Sequence, residues 1–314
     1  MARKVILFFF KMEDIISKLQ ENGVSKYYDL LSYLHSIHFE KDISVELLSD
    51  SFEYDHDKNR LSQSALQQLF TSNHDISTIY SIMFPTIKPI RDKFVGVGSL
   101  IYNTNDTMDY DNIGCSPNDT TEAANRLQGL IDQYYSMPID NIIKPIVGFV
   151  IYLLYERIHP HEDGNGRMGR YLFFENSALG ESLFPFSTLL NDTNGNSIMF
   201  NEIFHFTNFP KKNVNPDTFD DYPPLDKYFD ISFINEYIVN RMVYVLYIAK
   251  IYKHLRLSFP HIPTYIVKEL AVSNKAIKKY KRFNSDIITY MTEAGFDVEQ
   301  HRMNLVYISE MNIC

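Results

Sequence analysis

Within residues 159–170, HPHEDGNGRMGR, the chain places two histidines, two arginines and three of its twelve glycines. These residue types suit the grip of a polyphosphate. Glycines at 164 and 166 permit positive φ and let main-chain N–H groups converge. A helix starting near Gly166-Arg167 would add its unpaired amides and the positive end of its dipole, which favour an anion. Arg167 and Arg170, three positions apart, fall on one side of that first turn, where two guanidinium groups can hold separate phosphates. Asp163 stands ahead of the glycines, placed to hold the Mg²⁺ that accompanies such phosphates. His159 is the group beside the cradle able to take a proton near neutral pH. A Walker-type phosphate loop is absent from the sequence. The same stretch also permits another chemistry, in which His159 and His161, with Glu162 or Asp163, bind a catalytic zinc or iron. Against that reading, no second His/Asp cluster of ligand spacing occurs elsewhere, and the arginines set positive charge beside the cation.

The stretch resembles the signature of the Fic (filamentation induced by cAMP) family, His-Pro-Phe-x-Asp/Glu-Gly-Asn-Gly-Arg-x-x-Arg. It matches at His159, Pro160, Asp163, Gly164, Asn165, Gly166, Arg167 and Arg170. The resemblance implies a mainly α fold: a Fic-type helical core with a β-hairpin flap, plus helical N- and C-terminal extensions. It also implies a protein adenylyltransferase, moving AMP from ATP to a Ser, Thr or Tyr hydroxyl of a target protein. In that scheme His159 is the general base and Asp163 binds Mg²⁺. Asn165 and the amides of Gly164 and Gly166 hold the α- and β-phosphates, and Arg167 and Arg170 neutralise the pyrophosphate that leaves, so catalysis is mostly positioning and electrostatics. The flap, at Ile113, Gly114, Cys115 and Ser116, would pair with an extended segment of the target. Gly166 stands where the phosphorylating branch of the family carries lysine. His161 replaces the family's Phe, which packs beneath the loop; a histidine can do so only if its ring nitrogens find partners. Far upstream, Ser17, Glu21 and Asn22 in SKLQEN fit the family's inhibitory helix, whose glutamate pairs with the motif's final arginine, here Arg170.

These residues need a frame. IDNIIKPIVGFVIYLLYERI (139–158) is apolar on nearly every side and reads as a core helix delivering His159 at its end. Before it, SPNDTTEAANRLQGLIDQYY signals a helix with a Ser-Pro start and Ala124, Leu127, Leu130 and Ile131 on one face. Residues 93–117, β-branched, glycine-dotted and broken by NTNDTMD, read as a hairpin with a polar tip. Residues 12–38 read as two helices split at Asn22-Gly23, 62–87 as a helix stopped by Pro85, and 231–257 and 264–294 as helical. Val5–Phe10 reads as a buried strand or helix start, and 209–226 as a Pro/Asn/Asp-rich connection. The expected organisation is therefore a helical region over 1–84 carrying the inhibitory motif, a Fic-type domain over 85–210, and a helical region over 211–314. In the last, KELAVSNKAIKKY resembles a helix-turn-helix, through which 264–283 could meet DNA phosphate with Lys275, Lys278, Lys279, Lys281 and Arg282.

Composition narrows the partners. The net charge of −9 and a pI near 5.6 give a bulk field that repels nucleic acid and anionic membranes, so any polyanion must meet a local basic patch. Two cysteines, Cys115 and Cys314, are too few for a disulfide framework and fit a reducing, cytoplasmic compartment. The longest apolar stretch, Pro145–Tyr155, falls below the roughly 18–20 residues that span a bilayer, so no membrane partner is expected. Partners are then ATP, Mg²⁺ and a hydroxyl-bearing target protein, with a homodimer as a further class.

Overall fold

The computed structural model describes residues 11–37, 68, 74–97, 101–102, 108–109, 112–165, 168–169, 172, 213–214 and 222–310. The chain is mainly helical. The Val5–Phe10 run lies outside the described residues, as do Gly166, Arg167 and Arg170 of the loop.

Two helices open the fold, α1 (Met12–Glu21) and α2 (Tyr28–Ser36), broken at Asn22-Gly23 and joined by a 3₁₀ turn, Val24–Tyr27. Next comes α3 (Ile76–Met83), which Asp75 caps by accepting a hydrogen bond from Thr78 N, and which ends before Pro85. Four two-residue strands follow. Gly96–Val97 (β1) pairs antiparallel with Asn112–Ile113 (β4), and Ile101–Tyr102 (β2) with Met108–Asp109 (β3). A distant strand, Asn213–Val214 (β5), lies antiparallel on the other edge of β3.

The two helices that carry the loop are α4 (Thr120–Ser136) and α5 (Lys144–Ile158), packed on each other. Two of their expected starts need correction. α5 begins at Lys144 rather than 139, because Pro145 has no N–H to continue a helix from upstream and instead takes the first turn, where that N–H is dispensable. α4 begins three residues beyond the Ser-Pro pair, after a turn in which Asp119 N donates to Ser116 O (2.9 Å). Every residue of α5 from Ile146 to Tyr155 is buried, as befits a helix apolar all round.

The C-terminal half is a set of stacked helices: α6 (Leu225–Tyr228), α7 (Glu236–Ser258), α8 (Thr264–Val272), α9 (Asn274–Phe283), α10 (Ser285–Glu293) and α11 (Val298–Glu310). α7 packs on α5 and Asn235 caps it, so helix begins there and not at 231. α8 and α9 meet at Ser273 alone, whose Oγ accepts from Ala276 N (3.2 Å). A helix-turn-helix needs a turn of about three or four residues, so that expectation for 264–283 does not match the joint. Two of its cations also face the chain's own carboxylates, Lys279 on Glu269 (3.3 Å) and Lys281 on Glu299 (3.9 Å).

Buried apolar residues from Met12 to Ile308 form one continuous core, to which all three expected regions contribute. Ties across it include Tyr28 Oη to Asp140 (2.8 Å) and Tyr307 Oη to Lys26 O (2.9 Å). Among the described residues no helix is long and apolar enough to cross a membrane.

Candidate functional site

α5 ends at His159, which takes a left-handed backbone (φ 52°, ψ 63°) and whose N–H donates to Tyr155 O (2.9 Å). Among the described residues it is the sole non-glycine with positive φ. Such a conformation is uncommon outside glycine and asparagine, and it swings the chain off the helix axis into the loop. The imidazole is nearly enclosed, its side chain 13 % exposed. Nδ1 is buried without a hydrogen bond, 3.9 Å from Glu156 Oε2. Nε2 is therefore the nitrogen left to meet a hydroxyl. Burial, followed by the nearby Arg91 guanidinium, pushes the pKa down to about 3, so the ring is neutral at physiological pH.

The loop beyond is built from inside. His161 is fully buried and stacks on Tyr80 with ring centroids 3.7 Å apart and planes 10° off parallel. Its Nδ1 donates to Pro89 O, and its Nε2 is buried without a partner. The histidine in the family's Phe position thus satisfies one nitrogen of two. Burial, with Arg91 adding to it, lowers its pKa to about 4.

Asn165 is 2 % exposed, and its amide brackets the main chain of His161: Oδ1 accepts from His161 N (3.0 Å), and Nδ2 donates to His161 O (2.8 Å). The Asn165 side chain, expected to meet phosphate, braces the loop through both of its polar ends. The Gly164 N–H donates to Asp163 Oδ1 (2.6 Å). Gly164 has φ +73°, and a Cβ there would stand 2.4 Å from the Phe84 ring, so glycine is required on both counts. Asp163 lies at the surface, with its carbonyl accepting from Tyr80 Oη (2.8 Å). Helix resumes at Asn165, and Met168 N donates to Gly164 O (2.9 Å).

The segment expected to bind a target is seated otherwise. Gly114, Cys115 and Ser116 are buried, and Cys115 N donates to Ile158 O (3.0 Å) at the end of α5. A Cβ on Gly114 would meet Arg91 Nη2 at 2.6 Å, His159 Cβ at 2.9 Å and Ile158 O at 3.0 Å. These three residues follow β4 and are pressed against the end of α5. Ile113, in β4, pairs with Gly96.

Sequence reasoning missed the residue that joins these parts. Arg91 is 2 % exposed and donates from Nε to His159 O (2.7 Å), from Nη1 to Lys93 O (2.7 Å) and from Nη2 to Cys115 O (2.6 Å). Tyr80, Phe84 and Tyr228 were missed too; Tyr228 Oη donates to Gly114 O (3.2 Å). No periodicity or spacing marks any of them, since their partners are distant in sequence.

The inhibitory motif sits at the end of α1. Ser17 Oγ donates to Glu21 (3.4 Å), Lys18 lies 3.7 Å from the Glu21 carboxylate, and Asn22 Nδ2 donates to Lys18 O (2.8 Å). The Glu21 side chain is 61 % exposed, and Arg170, its expected partner, is outside the described residues.

Neither the protein-family models nor the curated proteins match this chain. Function must then be argued from the site itself. Among the described residues, no group of three or more His, Cys, Asp or Glu is placed to hold a metal ion, and His161 is committed to Pro89 and Tyr80. No geometry therefore favours the hydrolase reading.

Proposed function

We propose that the chain is a protein adenylyltransferase of the Fic type. The observation that carries this reading is a largely enclosed imidazole at the end of a core helix, directly before a glycine-turned loop that leads into helix again. A base with a free Nε2 next to an anion-favouring turn suits attack by an alcohol on phosphorus. The target's hydroxyl oxygen bonds to the α-phosphorus of ATP, the bond to the β-phosphate oxygen breaks, pyrophosphate leaves and the hydroxyl proton passes to His159. Asp163, at the surface beside the loop, is the residue that would hold Mg²⁺ with the substrate phosphates. Arg167 and Arg170 would meet those phosphates, on the strength of the motif.

The strand pairs β1–β4 and β2–β3 would serve as the flap. Residues 114–116 are buried and β5 lies on the edge of β3; among the described residues the outer edges of β1, β2 and β4 carry no strand, and a target strand would add to that of β4, Asn112–Ile113.

The test is incubation with Mg²⁺ and ATP labelled at the α- or γ-phosphate, with a cell extract as acceptor, comparing the native chain with His159→Ala. The expected result is protein-bound label from α-labelled ATP, lost in the variant. Label from γ-labelled ATP alone would replace AMP transfer by phosphotransfer, and equal labelling by His159→Ala would sink the assignment of the base.

A further inference from the structure

Among the described residues Arg91 is buried with no carboxylate bonded to it. Among the described residues its hydrogen bonds run to main-chain carbonyls, with one long contact to Cys115 Sγ (3.9 Å). Removing a guanidinium from water costs several kcal/mol unless its donors are satisfied and its charge is compensated. Both conditions are met by its location. The last carbonyls of α5 have no partner within the helix and carry the negative end of its dipole. Nη2 lies 3.5 Å from Ile158 O and Nε 2.7 Å from His159 O, while the Arg91 main-chain N–H donates to Pro160 O (3.0 Å). Arg91 is thus the cap of the helix that ends in the base.

The same side chain also reaches both ends of the hairpin. Nη1 holds Lys93 O, just before β1, and Nη2 holds Cys115 O, just after β4. The carbonyl of a left-handed histidine and the two roots of the strand pairs therefore hang on one planar group. A displacement of the hairpin cannot leave the His159 main chain where it was without breaking a bond of about 2.7 Å to this guanidinium.

We propose that Arg91 is a positioning residue for AMP transfer: it holds His159 in its left-handed turn and couples the seat of the hairpin, where the target docks, to the placement of the base. This rests on the adenylyltransferase reading above. The turn of the loop itself is built on Tyr80, Phe84 and Asn165. Loss of Arg91 should therefore act on the chemical step and leave the affinity for ATP in place.

The experiment measures label transfer from α-labelled Mg-ATP to extract proteins and to the chain itself, for the native protein, Arg91→Lys and Arg91→Ala. For Arg91→Ala, kcat is expected to fall about 100-fold, the size typical of a misplaced reacting group, with KM for ATP unchanged. Millimolar guanidinium should restore part of that rate, and sodium chloride of equal ionic strength should not. A merely structural role would give no guanidinium-specific recovery. Arg91→Lys keeps the charge but cannot bridge three carbonyls, so it should fold and still lose about tenfold in kcat. Amide exchange at Cys115 and His159 should quicken in both variants. Native kcat in Arg91→Lys, or unchanged exchange at these amides, overturns the proposal alone. Absence of label from the native protein overturns the adenylyltransferase reading on which it rests.

Discussion

A histidine enclosed on all sides is a pH liability, and His161 shows how much. Its imidazole is neutral, stacked on Tyr80, with one nitrogen on Pro89 O and the other unpaired. The folded-state pKa is about 4, against an unfolded value near 6.5, so between these limits the unfolded chain binds the extra proton. Stability conferred by the neutral ring is therefore full above about pH 6.5 and lost as pH falls toward 4. His159, at about 3, and His301, at about 4, add to the same slope. His301 is itself fully paired, accepting from Tyr247 Oη (2.7 Å) and donating to Leu270 O (2.9 Å). His161→Phe removes one titrating group. At pH 7 its unfolding free energy should lie within about 1 kcal/mol of native, a lost hydrogen bond offset by relief of the unpaired nitrogen. Between pH 6 and 4.5 the variant should gain on the native chain by about 1.4 kcal/mol per pH unit. Urea midpoints at pH 7 and 5 measure this, and parallel losses in the two proteins would refute it.

At the scale of elements, the site depends on how the hairpin root is seated against the end of α5. Gly114 is the point of closest approach, where a methyl group would press on Arg91, on His159 Cβ and on the Ile158 carbonyl together. Two of those are main chain or nearly so and cannot swing away. Gly114→Ala should cost about 1–3 kcal/mol, as overpacking does, and should lower label transfer by more than the loss of folded protein explains. A thermal scan beside the transfer assay separates these effects; native stability and native rate would mean the contact yields freely. The sequence made such elements legible unevenly. α5 was plain from an apolar run that no surface helix could carry, and the α1–α2 break from Asn22-Gly23. Starts of α4 and α5 were misplaced by a turn or so, because polar residues before a helix read much like its first turn. α11 went unread, since its buried face is Val298, His301, Leu305 and Ile308, in which a histidine interrupts the apolar pattern. The loop stood out as a motif because its residues are consecutive. Its supports, Arg91, Tyr80, Phe84 and Tyr228, did not, because each meets the loop only after the chain folds back.

Among the described residues the buried apolar side chains form one continuous core that draws on all three expected regions, and this bears on what a fragment can do. α5 packs on α1, α4, α6 and α7, and every residue of it from Ile146 to Tyr155 is buried. Arg157, near its end, is 5 % exposed and donates to Asp230 O (2.7 Å), with its guanidinium 4.6 Å from the Phe233 ring centre. That arginine belongs to the expected central domain, and its partners to the C-terminal region. Ending the chain after residue 210 would remove these acceptors and strand a buried cation. It would also remove α7, which packs on α5 and buries Ile238, Val239, Met242, Val243 and Leu246, all essentially inaccessible. Burial of each such side chain is worth about 1.5–3 kcal/mol, so five of them rival the roughly 5–15 kcal/mol of net stability of a whole domain. A 1–210 fragment should therefore show no cooperative thermal transition and should bind a dye for exposed apolar surface, whereas the full chain melts in one step. A fragment that unfolds cooperatively would mean that the loop and hairpin are held by a core of their own, and that the C-terminal helices merely lean on it.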